Sequence, residues 1–434
     1  MESGVLAGTA TEQEQTIIRK LNTILSLGQI LVESSANTNC IMAEMKRCAK
    51  VLGLPEEYLH IDVSYTMLSV NLSDRGHTFS KFQRCEKHSV NMDAIRNVSL
   101  LLTKAEQRHY TLDRLERGLA YVRHKKKNYP PLVVAVGAGM ACGGFCKLFG
   151  CDWAAFLLAS ASAFVGFYTR LLLNQLRLNH YLVVFIASLV ATCCAYLTYL
   201  TGWSSTPMHP LLACALFIIP GVPMINFVDD MVDNFIAVGI VRALNTCITV
   251  GMMSFGIVVA LRLMSFTGAE IGREFSELST TPHDPYWNYA VAAAISAMGF
   301  SMIFNVRKGL LWIVALGGML SVCTRNFVNF ELGYGPLMGS FSGAIVAGCG
   351  AIALSRQLRI PHNLLAIPSV IPMVPGVLMY RSLIGLFNMQ GIVGEVTTVV
   401  YTGLNASLIV LAIAFGVSMP AIVLRDGRRI ASTH

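Results

Sequence analysis

Charge is scarce in this 434-residue sequence: Asp, Glu, Lys and Arg make up 13% of it, against about 25% in a typical soluble domain. The shortage is uneven. Residues 1–130 hold 32 of the 58 charged side chains, residues 131–264 hold nine and residues 287–424 hold eight. Stretches so poor in charge exclude a soluble fold with a wet surface and fit a helical bundle solvated by lipid. The sequence has no Walker A motif, which argues against ATP drive within the chain. No nucleophile motif or metal-ligand helix stands out. The twelve cysteines lack paired metal-type spacing and fall mostly in apolar runs, where a thiol behaves as a small hydrophobe, so neither disulfides nor zinc are expected. Gly137-Ala138-Gly139 with Gly143 has the wrong spacing for a dinucleotide loop and lies inside an apolar run. No cofactor is expected. Residues 1–16 are polar and acidic, without the basic and apolar regions of a signal peptide. The net charge of +8 sits at helix ends and loops rather than on an aromatic-laced face, so no nucleic-acid partner is expected.

The charged part, residues 1–130, reads as a small α/β domain. Apolar spacing near 3.6 predicts helices over 13–32, 36–53, 92–105 and 111–124. Alternating Ile, Val, Tyr and Leu predict a strand over 59–72, with a shorter one at 77–84. The domain ends in the basic run Arg123-His124-Lys125-Lys126-Lys127.

Ten apolar segments follow, at about 131–149, 152–173, 181–200, 208–223, 236–262, 287–305, 309–328, 335–355, 362–386 and 392–424. A span needs roughly 20 residues, so the fold class is an α-helical polytopic membrane protein of about ten spans. Lys and Arg in short loops set the orientation. The run 123–127 puts the N-terminal domain in the cytoplasm, and Arg177, Arg307 with Lys308, Arg356 with Arg359, and the basic tail 425–434 then fall on the same side. Residues 265–286 form an external loop with one Arg against four acids. Both termini are expected inside an inner (plasma) membrane of bacterial type.

The halves 131–264 and 287–424 repeat at a fixed offset of 155 residues. Gly144-Phe145 matches Gly299-Phe300, Thr169-Arg170 matches Thr324-Arg325, Asn174 matches Asn329, and Pro220-Gly221 matches Pro375-Gly376. Five spans per copy, an odd number, makes the second copy enter from the opposite side. That is the inverted repeat of many secondary transporters.

Ile219-Pro220-Gly221-Val222-Pro223 interrupts the fourth segment and Ile371-Pro372-Met373-Val374-Pro375-Gly376 the ninth. Proline removes a backbone donor and glycine loosens the helix, so both should break at membrane depth. Matching broken helices are a strong sequence pointer to a transport site, with a simple kink as the bland alternative. Pro220, Gly221, Pro223, Pro372, Pro375 and Gly376 are therefore candidate substrate contacts. Past the first break, Asn226, Asp230 and Asp233 share one helical face beside Asp229. Intramembrane carboxylates can relay protons, although a solvated linker helix would look the same. Arg242, Arg325 and Glu395 are further intramembrane charges, and Asn226, Arg242 and Arg325 count among the candidate substrate contacts; Arg325 falls near the outer face, where orientation does not call for it.

The string Pro220-Gly221-Val222-Pro223-Met224-Ile225-Asn226, with Asp230, Gly239 and Arg242, resembles the first half of the threonine/serine exporter family. So do Gly28, Val32-Glu33, Leu52-Gly53 and Thr169-Arg170. The second half, from Phe304-Asn305-Val306 through Pro372–Gly376 to Tyr380, resembles that family's second module and brings Asn305 among the candidate substrate contacts. The resemblance covers residues 16 to 420 and looks like a fused two-module form. It implies export of threonine and serine by the proton motive force, with Asp230, Asp229, Asp233 and Glu395 as candidate proton-coupling groups. Split relatives in the superfamily are associated with dicarboxylate export, which is the alternative substrate. A membrane-embedded enzyme would need a nucleophile or metal set near the breaks, and none is visible. A membrane scaffold or sensor would not need two repeat-related breaks. The expected partners are the bilayer, a small polar metabolite and, as one open arrangement, further copies of the chain.

Overall fold

The computed structural model describes residues 12–74, 77–86, 88–265, 285–358, 360–388 and 393–432. Most of the loop 265–286, Arg359, and the side chains of Glu395 and of the tail from Arg425 lie outside the described residues. The chain forms two compact units, Met1–Lys126 and Lys127–His434.

In the first unit, α1 (Glu12–Glu33), α2 (Thr38–Val51), α3 (Met92–Arg108) and α4 (Leu112–His124) accompany β1 (Leu59–Val63), β2 (Met67–Asp74) and β3 (His77–Arg84). The sheet is antiparallel in the order β1-β2-β3, with Leu59 opposite Leu72 and Val63 opposite Leu68. The strand read over 59–72 is thus two strands. Ser64 N–H donates to Met67 O at 2.9 Å and reverses the chain. That turn contains neither Gly nor Pro, and the apolar alternation runs straight through it, so the pattern did not reveal it. Asn37 caps α2, its Oδ1 accepting from Cys40 N–H at 3.2 Å. Leu21, Ile24, Leu27 and Leu31 of α1 are fully buried, as are Ile41, Met45, Leu68 and Leu102.

The second unit holds α5 (Pro131–Leu148), α6 (Trp153–Gln175), α7 (His180–Tyr199), α8 (His209–Ala213), α9 (Gly221–Val232) and α10 (Ile236–Ser265). Then come α11 (Tyr286–Ile303), α12 (Leu311–Asn326), α13 (Gly335–Leu358), α14 (Asn363–Val370), α15 (Gly376–Asn388) and α16 (Val393–Ser432). Among the described residues, seven helices are long and apolar enough to cross a membrane, or nine if each of two bent pairs counts as one span. The chain is accordingly a polytopic membrane protein. α11 does not pass that test, because it opens on Tyr286-Trp287-Asn288-Tyr289; length and composition alone do not give the expected ten. Large apolar side chains such as Leu157, Leu197, Leu244, Trp312 and Leu404 stand exposed, where lipid rather than water is the compatible solvent.

Small residues let α5 and α11 touch at the backbone. A Cβ on Gly144 would lie 2.7 Å from Ala292 O, and one on Gly299 would lie 2.4 Å from Gly137 O and 2.5 Å from Ala141 N. Ser296 Oγ donates to Ala141 O at 3.2 Å. Phe145 and Phe300 meet edge to face with centroids 5.6 Å apart. Ala141 and Ser296, like Phe145 and Phe300, are 155 residues apart.

Between α5 and α6, Asp152 gathers a loop. It caps α6 by accepting from Ala155 N–H at 2.7 Å. It also accepts from Ser205 N–H at 2.7 Å and from the Ser204 and Ser205 hydroxyls at 2.9 Å each. Burial pushes its carboxyl up, but the Ala155 and Ser205 N–H groups and these hydroxyls outweigh that and bring it down to about 2.

Candidate functional site

Both broken helices share one local build. Leu216–Ile218 and Ile371–Met373 are single 3-10 turns. Ile219 (ψ 122°) and Val374 (ψ 128°) then extend, as residues before proline prefer. Gly221 and Gly376 restart the helix, their N–H groups donating to Ile219 O and Val374 O at 2.8 Å each. The axis bends by 59° at the first break and 61° at the second.

The two breaks lie side by side. A Cβ on Gly221 would fall 2.3 Å from Ile371 Cδ1, and one on Gly376 would fall 2.1 Å from Ile219 Cδ1. Glycine at both positions therefore sets how closely the interrupted segments approach. Pro372 is buried; Pro220, Pro223 and Pro375 are half-buried.

Polar groups collect on α9, past the first break. Asn226, Asp229 and Asp230 are all buried. Asp233 follows the last residue of α9 and is only half-buried, apart from that cluster. Asn234 takes a left-handed φ of 68°, and Phe235 N–H closes the turn onto Asp230 O at 2.7 Å. α10 then runs back against α9. A Cβ on Gly239 would meet Met231 Cγ at 2.7 Å and Phe227 O at 3.0 Å. This close approach brings Arg242 to Asp230: Arg242 Nε lies 3.1 Å from Asp230 Oδ2, the two meeting as charges rather than as an aligned hydrogen bond. Asp230 is 1% exposed and Arg242 7%. Asp229 accepts a hydrogen bond from the Ser418 hydroxyl of α16. Two acids and one base thus share a buried place at the foot of a broken helix. There the attraction between charges is strong and the cost of an unpaired one is several kcal/mol, roughly 3–5 when one partner is removed.

Other candidates sit elsewhere. Asn305 ends α11 in a left-handed conformation (φ 56°). Its Oδ1 accepts from Asn128 N–H at 2.8 Å, and its carbonyl from Asn128 Nδ2 at 3.2 Å. Arg325 lies at the end of α12, donating from Nε and Nη2 to Asn326 Oδ1 at 3.1 and 3.0 Å, just before a π-helical turn over Phe327–Glu331. Two residues escaped the sequence reading. Ser418 carries no sequence signal, being one serine in an apolar helix. Arg381 did carry one: it stands 155 residues after Asn226, at the matching place past the second break. Its charge reaches His209 at the start of α8. Among the described residues, no group of three or more His, Cys, Asp or Glu could hold a metal ion.

Comparison with known proteins gives two family matches in tandem. Residues 22–264 match the model described as Putative threonine/serine exporter, and residues 289–423 the one described as Threonine/Serine exporter, ThrE. The "Probable succinate transporter subunit YjjP" of Escherichia coli (strain K12) is 25% identical over 260 residues, 59% of this chain and 98% of that protein. The "Threonine/serine exporter" of Corynebacterium glutamicum is 20% identical over 397 residues, covering 89% of this chain and 80% of that one. The "Probable threonine/serine exporter" of Mycobacterium tuberculosis is 20% identical over 369 residues, 83% of this chain and 69% of that protein. No solved structure matches.

Proposed function

Since this chain belongs to the threonine/serine exporter family, whose first-module model alone covers more than half of it, we propose that it exports small hydroxy amino acids, threonine and serine, in exchange for protons. The observation that carries this reading is the buried Asp230–Arg242 pair beneath a broken helix. Facing the cytoplasm, ionised Asp230 takes the substrate ammonium group and Arg242 its carboxylate; facing outside, protonation of Asp230 loosens the ammonium group and lets the substrate leave. The emptied, protonated site returns and loses its proton to the cytoplasm, which restores the Asp230–Arg242 pair, so that protons enter as substrate leaves. A carboxylate in low-dielectric surroundings is suited to change charge in this way. Asp229, held by Ser418, and Asp233 play lesser parts, and no chemical transformation of the substrate is involved.

The architecture proposed is ten spans in two inverted five-helix repeats, with the N-terminal domain, both termini and the basic tail in the cytoplasm of a bacterial inner membrane. The reciprocal contacts at Gly144 and Gly299 support it. Gly144 faces Ala292 and Ser296 while Gly299 faces Gly137 and Ala141, each set being the other displaced by 155 residues. A two-fold relation generates such self-complementary contacts. The ten-span reading counts α11 as the partner of α5, although its polar opening keeps it from passing on composition.

The dicarboxylate alternative is favoured by the likeness of the first 60% or so of the chain to a succinate transporter subunit. Counterflow in proteoliposomes separates the two. Vesicles loaded with unlabelled threonine should accumulate labelled threonine and serine but not succinate; accumulation of succinate alone would replace the amino-acid reading.

A further inference from the structure

The first unit holds a groove that the transport cycle does not use. It is a cavity of about 240 Å³ between α1 and α4, lined on one side by Asn22, Thr23, Ser26 and Ile30 and on the other by Glu116, Leu119, Ala120, Arg123 and His124. This is somewhat below the roughly 300–1,000 Å³ of pockets for drug-sized ligands, a size for a small metabolite. The helices leave this space because Asn22, Thr23 and Ser26 of α1 are short and Ala120 of α4 is small.

The charges are sorted along the groove. Glu116, Ala120 and Arg123 follow the i, i+4, i+7 spacing of one face of α4. At one end Arg19 bonds Glu116, with Nε–Oε1 at 3.0 Å and Nη2–Oε2 at 2.6 Å, and also pairs with Asp113. Two carboxylates meet Arg19 at that end, and Arg117 lies beside them with its Nε donating to Asp113 O at 3.3 Å. Thr23 Oγ1 donates to the same Glu116 oxygen at 3.2 Å. Two helical turns away, roughly 10 Å along the axis, Arg123 donates to the neutral side chain of Gln29 and keeps its positive charge. His124 beside it donates from Nδ1 to Ala120 O at 2.9 Å, which leaves its Nε2 edge for a ligand. Asn22 and Ser26, between the two ends, offer an amide and a hydroxyl.

We infer that this groove is a cytoplasmic binding site for a small zwitterion of amino-acid type. The ammonium group goes to the Glu116 end, the carboxylate to Arg123, and a side-chain hydroxyl to Asn22, Ser26 or the Nε2 of His124. A dianion fits poorly, because its second carboxylate would face the Glu116 carboxylate. If the transported molecule is a hydroxy amino acid, as the export reading holds, the exporter carries a second site for its own substrate on the side it exports from.

The test is equilibrium binding of labelled threonine to the full chain in nanodiscs, paired with counterflow on the same preparations. Wild type should bind two threonines per chain. Arg123→Gln, which removes the positive end, and Ala120→Leu, which fills the groove from an exposed helix position, should each reduce this to one while counterflow at saturating threonine persists. Succinate should not compete for the lost site. A single site per chain that neither variant alters would overturn the inference. Absence of counterflow with groove binding intact would instead remove the export reading and leave the groove standing.

Discussion

Asp230 and Arg242 meet at 3.1 Å across the turn at Asn234, each more than nine-tenths buried. Removing one partner leaves a buried charge alone, which costs roughly 3–5 kcal/mol, whereas removing both costs far less. Arg242→Gln should therefore lower the thermal unfolding temperature of purified protein more than Arg242→Gln combined with Asp230→Asn. Equal losses in the single and double variants would mean that the two charges are not coupled.

Glycine substitutions should sort by what the new Cβ meets. At Gly144 and Gly299 it meets backbone, at 2.7 Å and 2.4 Å, which cannot yield without separating α5 from α11. Gly299→Ala should destabilise by about 1–3 kcal/mol, as overpacked cores do. At Gly221 the nearest atom is the tip of Ile371 at 2.3 Å, a methyl that can turn aside. Gly221→Ala should thus fold near normally, and any loss of counterflow should recover when Ile371→Val is added. Thermal unfolding and counterflow read the two effects separately.

The breaks were legible because proline and glycine are local signals: they disrupt a helix whatever surrounds them. The buried acids and Arg242 were legible as charges in an apolar stretch. Their pairing was open, since it depends on a left-handed Asn234 and the close approach at Gly239, which spacing alone does not fix. Asn305 shows the converse. It stood out through resemblance, yet its contacts are with Asn128, a long-range pairing that no periodicity reports. The turn at Ser64 was hidden because reversing a strand there preserved alternation. Arg381 could have been found, since the same offset of 155 residues that aligned the prolines points from Asn226 to it.

Asp152 offers a pH-dependent check. Its carboxyl sits at about 2 in the fold, below the ordinary value of about 3.9. A depressed acid contributes its stability above the unfolded value and loses it as pH falls through the folded one. Asp152→Ala should cost about 1 kcal/mol at neutral pH through the lost helix cap. The gap in unfolding temperature between wild type and variant should narrow from about pH 4 toward pH 2. A gap independent of pH would mean that the charge of this carboxylate does not hold the loop.

Efflux of labelled threonine from proteoliposomes, driven by an imposed pH gradient and compared between wild type and Asp230→Asn, tests proton-coupled export most directly. Asp230→Asn should lose pH-driven efflux while retaining threonine counterflow at equal pH, with Asp229→Asn and Asp233→Asn less affected. Normal pH-driven efflux by Asp230→Asn would contradict the assignment of the coupling proton to this carboxylate.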